Sequence, residues 1–103
     1  MKTEHGIKNG CGCLATDRIM AEGRRVGYMY RKYPDNDKDS GWRFEAGDES
    51  AEYLQSAANM GVYSLETLTN RDPDIVPYLD ACYGSAYIRK DGGVFERSNI
   101  NMK

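Results

Sequence analysis

"DNDKDSGWRFEA", residues 35–46, places Asp35, Asp37 and Asp39 at alternate positions ahead of Gly41 and then runs into Trp42 and Phe44. Three readings compete: a calcium loop, a catalytic carboxylate cluster, or an acidic turn leading into an aromatic strand. An EF-hand loop needs oxygen ligands at positions 1, 3 and 5, a Gly at 6 and a bidentate Glu at 12. Counted from Asp35, position 6 is Ser40, Gly falls at 7 and position 12 is Ala46, while Glu45 stands one residue early. The flanks do not have helical periodicity either. Turn plus strand fits: Trp42 and Phe44 alternate with Arg43 and Glu45, the pattern that sends aromatics inward and an ion pair outward on a half-buried strand.

Working toward the N-terminus, "RVGYMYRKY" (25–33) alternates as a strand and stops at Pro34. Val26, Tyr28 and Tyr30 share one face, and Gly27, Met29 and Arg31 the other. "CLATDRIM" (13–20) predicts a strand before it, with the Glu22-Gly23 pair of "AEGR" (21–24) turning the two into a hairpin. Toward the C-terminus the period changes. "DESAEYLQSAAN" (48–59) predicts a helix over about 49–57, with Asp48 as N-cap and further acids in the first turn, where the helix dipole favours them.

"YSLETLTN" (63–70) predicts a second short helix capped by Ser64. In "NRDPDIVPYLDA" (70–81), Asp72 before Pro73 is a good cap, but Pro77 removes a later helical hydrogen bond, so a turn or short interrupted helix is expected. "SAYIRKDGGVFERS" (85–98) is two extended runs around Asp91-Gly92-Gly93, the strongest local hairpin signal in the chain. The elements predict an α+β fold: an antiparallel sheet of about five strands with one or two short helices on one face. Tight turns within the early and within the late strand pair, in place of helical crossovers, exclude a doubly wound sheet.

A chain of 103 residues suits one domain. The expected division is a flexible tail at 1–11, the domain at 12–97 and a C-terminal tail at 98–103. With 40% apolar residues, 29% charged residues and a net charge of −2, the chain is neither disordered nor a polycation, which removes the usual footprint of nucleic-acid binding. No window approaches the ~18 apolar residues of a membrane span, and the N-terminus lacks a secretion signal, so a cytoplasmic location without membrane attachment is expected. Cys11, Cys13 and Cys82 are an odd number in an ordinary-sized core, which favours reduced thiols over disulfides. A zinc set would have to join these three to His5, the chain's only histidine, and a single Cys-x-Cys is a weak signal for it. No metal and no cofactor are expected.

Charge is uneven along the chain. Residues 1–33 carry seven Lys or Arg against three acids, whereas residues 34–52 carry seven acids against Lys38 and Arg43. Such a concentrated negative segment can steer a basic partner, or simply be a solvated turn whose acids pair with the basic first third. Catalysis has little support. The sequence has no nucleophile elbow, phosphate-binding loop or His-Glu-x-x-His, and "DPD" (72–74) is one of many carboxylate pairs. General acid–base work needs one carboxyl held protonated by burial beside an ionised one, which a solvated turn does not provide. No enzyme is expected.

"ATDRI" (15–19), "VGYMYR" (26–31), "PDNDKDSGWRF" (34–44), "AGDE" (46–49), "DPDIVPYLDA" (72–81) and "GSA" (84–86) together resemble the immunity protein 33-like family, first catalogued as a domain of unknown function. The likeness spans roughly residues 12–97. It implies a bacterial cytosolic protein that neutralises a polymorphic or contact-dependent toxin by binding it, and it supplies no catalytic residues. On that footing the partner is a cognate toxin, a nuclease or nucleotide-using enzyme with a basic active site, and a second copy of the chain is a further candidate partner. Asp35, Asp37, Asp39, Asp48, Glu49 and Glu52 are the expected acidic contact surface, with Trp42 as an aromatic anchor if it is not core. Reversing Asp37, Asp39, Asp48 and Glu49 to Lys is expected to leave the fold intact. The alternative is a cytosolic interaction or regulatory module with no toxin.

Overall fold

The strand that the alternation of residues 42–45 predicts forms, but it begins earlier, at Asp39, and is more deeply buried. In the computed structural model, which describes residues 10–90 and 93–98, the strands are β1 (Gly12–Thr16), β2 (Tyr28–Arg31), β3 (Asp39–Glu45), β4 (Met60–Ser64), β5 (Ala86–Arg89) and β6 (Phe95–Ser98). They make one six-stranded sheet in the order β4-β1-β3-β2-β5-β6, so β3 has a neighbour on both sides. Every pairing is antiparallel except β1 with β3. The fold is α+β, with helices α1 (Asp17–Met20), α2 (Ala51–Gln55) and α3 (Leu65–Arg71) and 3-10 turns at Ala57–Asn59 and Pro73–Tyr78.

One face of the sheet is the core. Trp42 and Phe44 are fully buried there with Cys13, Ala15 and Met29, beneath Ile19 of α1, Leu68 of α3 and Ile75 of the second 3-10 turn. Stacked rings 6.0 Å apart join Trp42 to Phe44, and the indole Nε1–H donates to the Leu79 carbonyl at 3.1 Å. Burying the indole with its one donor satisfied makes Trp42 a core residue. α2 buries no residue in this core. It stands at the other face, beside Tyr28, Tyr30 and Glu45, so the helices are not confined to one side.

The predicted hairpin of residues 13–33 does not form. β1 ends at Thr16, and Asp17–Met20 turns into helix, with Asp17 in the first turn. β1 pairs with β3 in parallel and with β4 antiparallel, whereas β2 lies between β3 and β5. Two features of the connection explain the difference. Arg24 and Arg25 send their guanidiniums to Asp48 and Asp74 instead of flanking a tight turn. Gly27 lies so close to Ala46 that a Cβ there would fall 1.9 Å from its carbonyl oxygen, an approach that breaks strand geometry ahead of Tyr28. Val26 consequently enters the core and does not share the face of Tyr28 and Tyr30.

Strand β4 was not anticipated, because Gly61 weakens its pattern. In the structure the Tyr63 ring lies over Gly61, where a Cβ would meet it at 2.8 Å, so the glycine accommodates an aromatic. Helix α2 starts later than expected, with Ser50 as N-cap accepting from the Tyr53 N–H at 3.1 Å, and Asp48 lies outside it. The remaining expectations hold: Ser64 caps α3, Asp72 caps the short Pro73–Tyr78 turn, and β5 and β6 form the late hairpin. Gly10 and Cys11, assigned to the tail, are hydrogen-bonded to Asp37 and Leu65, and Ser98 pairs with Ala86. The rest of both expected tails lies outside the described residues.

Candidate protein-binding surface

Between β2 and β3 the acidic turn folds back on a cation from its own chain. Arg43, nearly fully buried, donates from Nη1 to Asp39 Oδ1 and from Nη2 to Asp39 Oδ2, both at 2.9 Å, and from Nη2 to Asp35 Oδ2 at 3.2 Å. Its Nη1 also donates to the Trp42 carbonyl at 2.9 Å. Asp39 accepts in addition from the Asp35 and Gly41 backbone N–H groups. Burial pushes the Asp39 carboxyl up, but the Arg43 bonds and the two amides outweigh it and bring its pKa down to about 2. Gly41 makes this geometry reachable: its φ of +90° accompanies a register shift that sets four residues of β3 against two of β1, which shortens the span from Asp39 to Arg43. The sequence expectation of an outward Arg43–Glu45 ion pair is therefore corrected; Arg43 serves the acidic turn.

Asp48 and Glu49 are likewise engaged. Arg18 donates to Asp48 from Nε at 2.9 Å and from Nη2 at 2.7 Å, and Arg24 adds a bond of 2.5 Å. Glu49 closes the loop after β3 by accepting from Thr16 Oγ1 at 2.6 Å and from the Ala46 and Gly47 amides at 2.8 and 2.9 Å. Burial raises its pKa, and these donors bring it below the ordinary glutamate value. Asp35 is held low first by its hydrogen bond from Lys32.

Asp37 and Glu52 are exposed, the first at the tip of the turn and the second in the first turn of α2. The six candidate acids thus divide. Asp39 and Glu49 are built into the fold, Asp35 and Asp48 are half-exposed members of ion pairs, and Asp37 and Glu52 stand outermost. Trp42, in the core, offers no exposed surface. Among the described residues, no three His, Cys, Asp or Glu side chains are grouped to hold a metal ion; Cys11, Cys13 and Cys82 are not joined in disulfides, and His5 lies outside those residues. No described helix is long and apolar enough to cross a membrane.

Two surface features escaped sequence reasoning. At the end of β2, Tyr33 and Tyr83 are both more than half exposed and meet edge to face at 5.4 Å. Arg31 supports the pair: its guanidinium lies 4.7 Å from the Tyr83 ring centre and is fixed by bonds to the Ser40 and Ala81 carbonyls. The second feature is a cleft of about 320 Å³ between α2 and the sheet face opposite the core, lined by Tyr28, Tyr30, Glu45, Leu54 and Met60 among others. Alternation of Tyr28 and Tyr30 was legible in the sequence, but nothing local showed that α2 would wall them in. A third cluster is structural: buried Asp72 accepts from the Val26 amide at 3.0 Å and from Arg89 Nη2 at 2.6 Å, tying the 3-10 turn to β5.

The arrangement offers rigidly held carboxylates, exposed tyrosines and a shallow aromatic cleft, the equipment of a binding surface. No curated protein and no solved structure matches the chain. The profile of the immunity protein Imm33 domain matches residues 13–99, from the second residue of β1 to just beyond β6, and the chain belongs to that immunity protein family.

Proposed function

We propose that this protein binds and neutralises a cognate bacterial toxin in the cytoplasm, without chemistry of its own. The family match over nearly the whole domain carries this reading. The partner is a protein with a basic functional surface, such as a nuclease or nucleotide-using toxin, and the acidic side of this domain occludes it. A carboxylate surface can sit where a phosphate chain would, and exclude substrate by occupancy alone. The paired carboxylates support this in one respect. Arg18, Arg24 and Arg43 fix Asp48, Asp39 and Asp35 in place, so little side-chain entropy remains to be lost on docking. They limit it in another, since an acid already paired steers a partner less than a solvated one. Long-range attraction therefore falls chiefly to Asp37 and Glu52.

The experiment is a pull-down of the protein encoded by the adjacent gene, followed by an activity assay of that protein alone and in complex. Stoichiometric capture with loss of toxin activity is the expected result. Capture with full residual activity would leave a binding module that is not an inhibitor, and failure to capture would remove the toxin reading.

A further inference from the structure

We infer that Tyr33, Tyr83 and Arg31, at the end of β2, form the anchor point for the protein partner, with the Arg31 guanidinium receiving an aspartate or glutamate side chain of that partner beside the two rings. This inference rests on the proposed neutralising function and names the contact by which the toxin is gripped.

Both rings are held from below. The Arg31 backbone N–H donates to the Ser85 carbonyl at 2.8 Å, and the Gly84 N–H donates to the Arg31 carbonyl at 2.6 Å, so the turn bearing Tyr83 is fastened to the end of β2. Next to Tyr33, the Lys32 N–H donates to the Gly41 carbonyl at 2.9 Å, and Pro34 restricts Tyr33 to extended backbone. A column of rings then runs inward. Tyr33 meets Tyr83 at 5.4 Å. The Arg31 guanidinium lies 4.7 Å from the Tyr83 ring centre and 5.9 Å from that of Trp42, which stacks on Phe44. The inner end is fully buried, yet Tyr33 is 76% and Tyr83 51% exposed. Two large rings ordered from the core outward and left in water lose little freedom on docking. Tyr and Arg are also the residue types enriched where binding energy concentrates.

Charge selects the occupant. Arg18, Arg24, Arg25, Arg43 and Arg89 each hold a carboxylate of their own chain. Arg31 does not. Among the described residues its side chain donates only to the Ser40 carbonyl from Nε and to the Ala81 carbonyl from Nη1, and no acid lies within ion-pair distance of it. Its Nη2 has no partner, and the one buried side-chain atom without a partner among the described residues is Tyr53 Oη, so Nη2 reaches solvent. An apolar occupant would strip water from the guanidinium without replacing its hydrogen bonds, and a cationic one would be repelled. A carboxylate instead makes a charge-assisted bond, strengthened where the rings exclude water. Asp37 and Asp80, exposed within four residues of Tyr33 and three of Tyr83, repel a polyanion such as nucleic acid. A single carboxylate on a folded surface remains. Because Tyr33 leads through Pro34 into the acidic turn, one partner face can meet both the anchor and Asp37.

Three variants test the site against the adjacent-gene toxin. Tyr33→Ala and Tyr83→Ala remove exposed ring; each is expected to fold and to weaken binding by about 10-fold or more. Arg31→Gln removes the charge and is expected to weaken binding as much; should it not fold, Arg31→Met, which keeps an apolar stem beside the rings, replaces it. The toxin's surface Asp and Glu residues are then changed to Asn and Gln one at a time. One such change is expected to weaken binding to the wild-type protein by about 10-fold and to have no further effect on the Arg31 variant, the non-additivity of two groups in contact. Wild-type affinity in both tyrosine variants overturns the anchor, and full additivity for every toxin carboxylate overturns the role of Arg31; either result leaves the toxin reading standing. Failure of the toxin to bind the wild-type protein overturns the proposed function and this inference with it.

Discussion

Arg43 fills the place that a metal ion would occupy if residues 35–39 were a calcium loop: two aspartates converge on its guanidinium from one side of the turn. A buried guanidinium beside one strongly engaged carboxylate links stability to pH with a definite sign. The folded pKa of Asp39, about 2, is depressed from the ordinary 3.8. Its stabilisation is therefore fully present above about pH 4 and is lost as pH falls through the folded value. Nearly two pKa units correspond to about 2.5 kcal/mol, which solvent screening of the partly open turn reduces to about 2 kcal/mol. Asp39→Asn should lower the urea-unfolding free energy by about that amount at pH 7, and the gap between variant and wild type should close between pH 4 and pH 2. A gap that stays constant across that range would show that shape, not charge, holds the turn. Asp72 is a structural link of another kind: it accepts from the buried Val26 amide and from Arg89, whose guanidinium keeps Asp74 as a second carboxylate, so Asp72→Ala orphans chiefly the amide and should cost about 1–3 kcal/mol, read as a fall in denaturation midpoint at constant slope.

Strand β3 depends on a residue with no side chain. Gly41 combines φ +90° with backbone so close that a Cβ would lie 2.0 Å from the Lys32 carbonyl oxygen, whereas Gly84 has φ +92° and nothing within 4 Å. Gly84→Ala should therefore cost only the conformational penalty, about 1–2 kcal/mol, and Gly41→Ala about 3 kcal/mol or more because backbone must also move. Equal losses in chemical denaturation would mean that the close approach relaxes freely. The same strand shows which parts of the fold the sequence could and could not reveal. The β5–β6 hairpin, the Ser64 cap and Asp72-Pro73 were legible because each is settled within a few residues. The parallel β1–β3 pairing was not, because strand partners are chosen by burial across the chain and not by the nearest turn signal; Glu22-Gly23 looked like a hairpin only locally. Alternation of 42 and 44 with 43 and 45 correctly marked the strand, but could not show that Arg43 would be covered as well. Among the candidate site residues, the acids were legible as a turn and loop. Their partners were not, since Arg24 and Arg18 reach Asp48 across 24 and 30 residues.

For the whole molecule, these pairings redistribute charge. In the segment that looked like a block of seven acids, the fold pairs Asp35, Asp39 and Asp48 with cations, uses Glu49 to clasp a loop, and leaves Asp37 and Glu52 outlying. The expectation that Asp37, Asp39, Asp48 and Glu49 could all be reversed without harm is thereby corrected for Asp39 and Glu49, whose carboxylates hold backbone amides and buried donors. Steering and architecture can now be tested apart. Asp37 and Glu52 are exposed, so converting both to Lys changes the long-range field by four charges while leaving the pairs around Arg43 and Arg18 intact. Unfolding free energy should move by no more than about 0.5 kcal/mol. Association with the adjacent-gene toxin should slow by about three- to tenfold at low ionic strength, with dissociation little changed. Raising salt to about 0.15 M, where the screening length is near 8 Å, should shrink that difference. A slowed dissociation-insensitive step that vanishes with salt is the signature of steering by those two carboxylates. An unchanged association rate at low salt would remove the acidic surface from the mechanism and leave recognition to the exposed tyrosines.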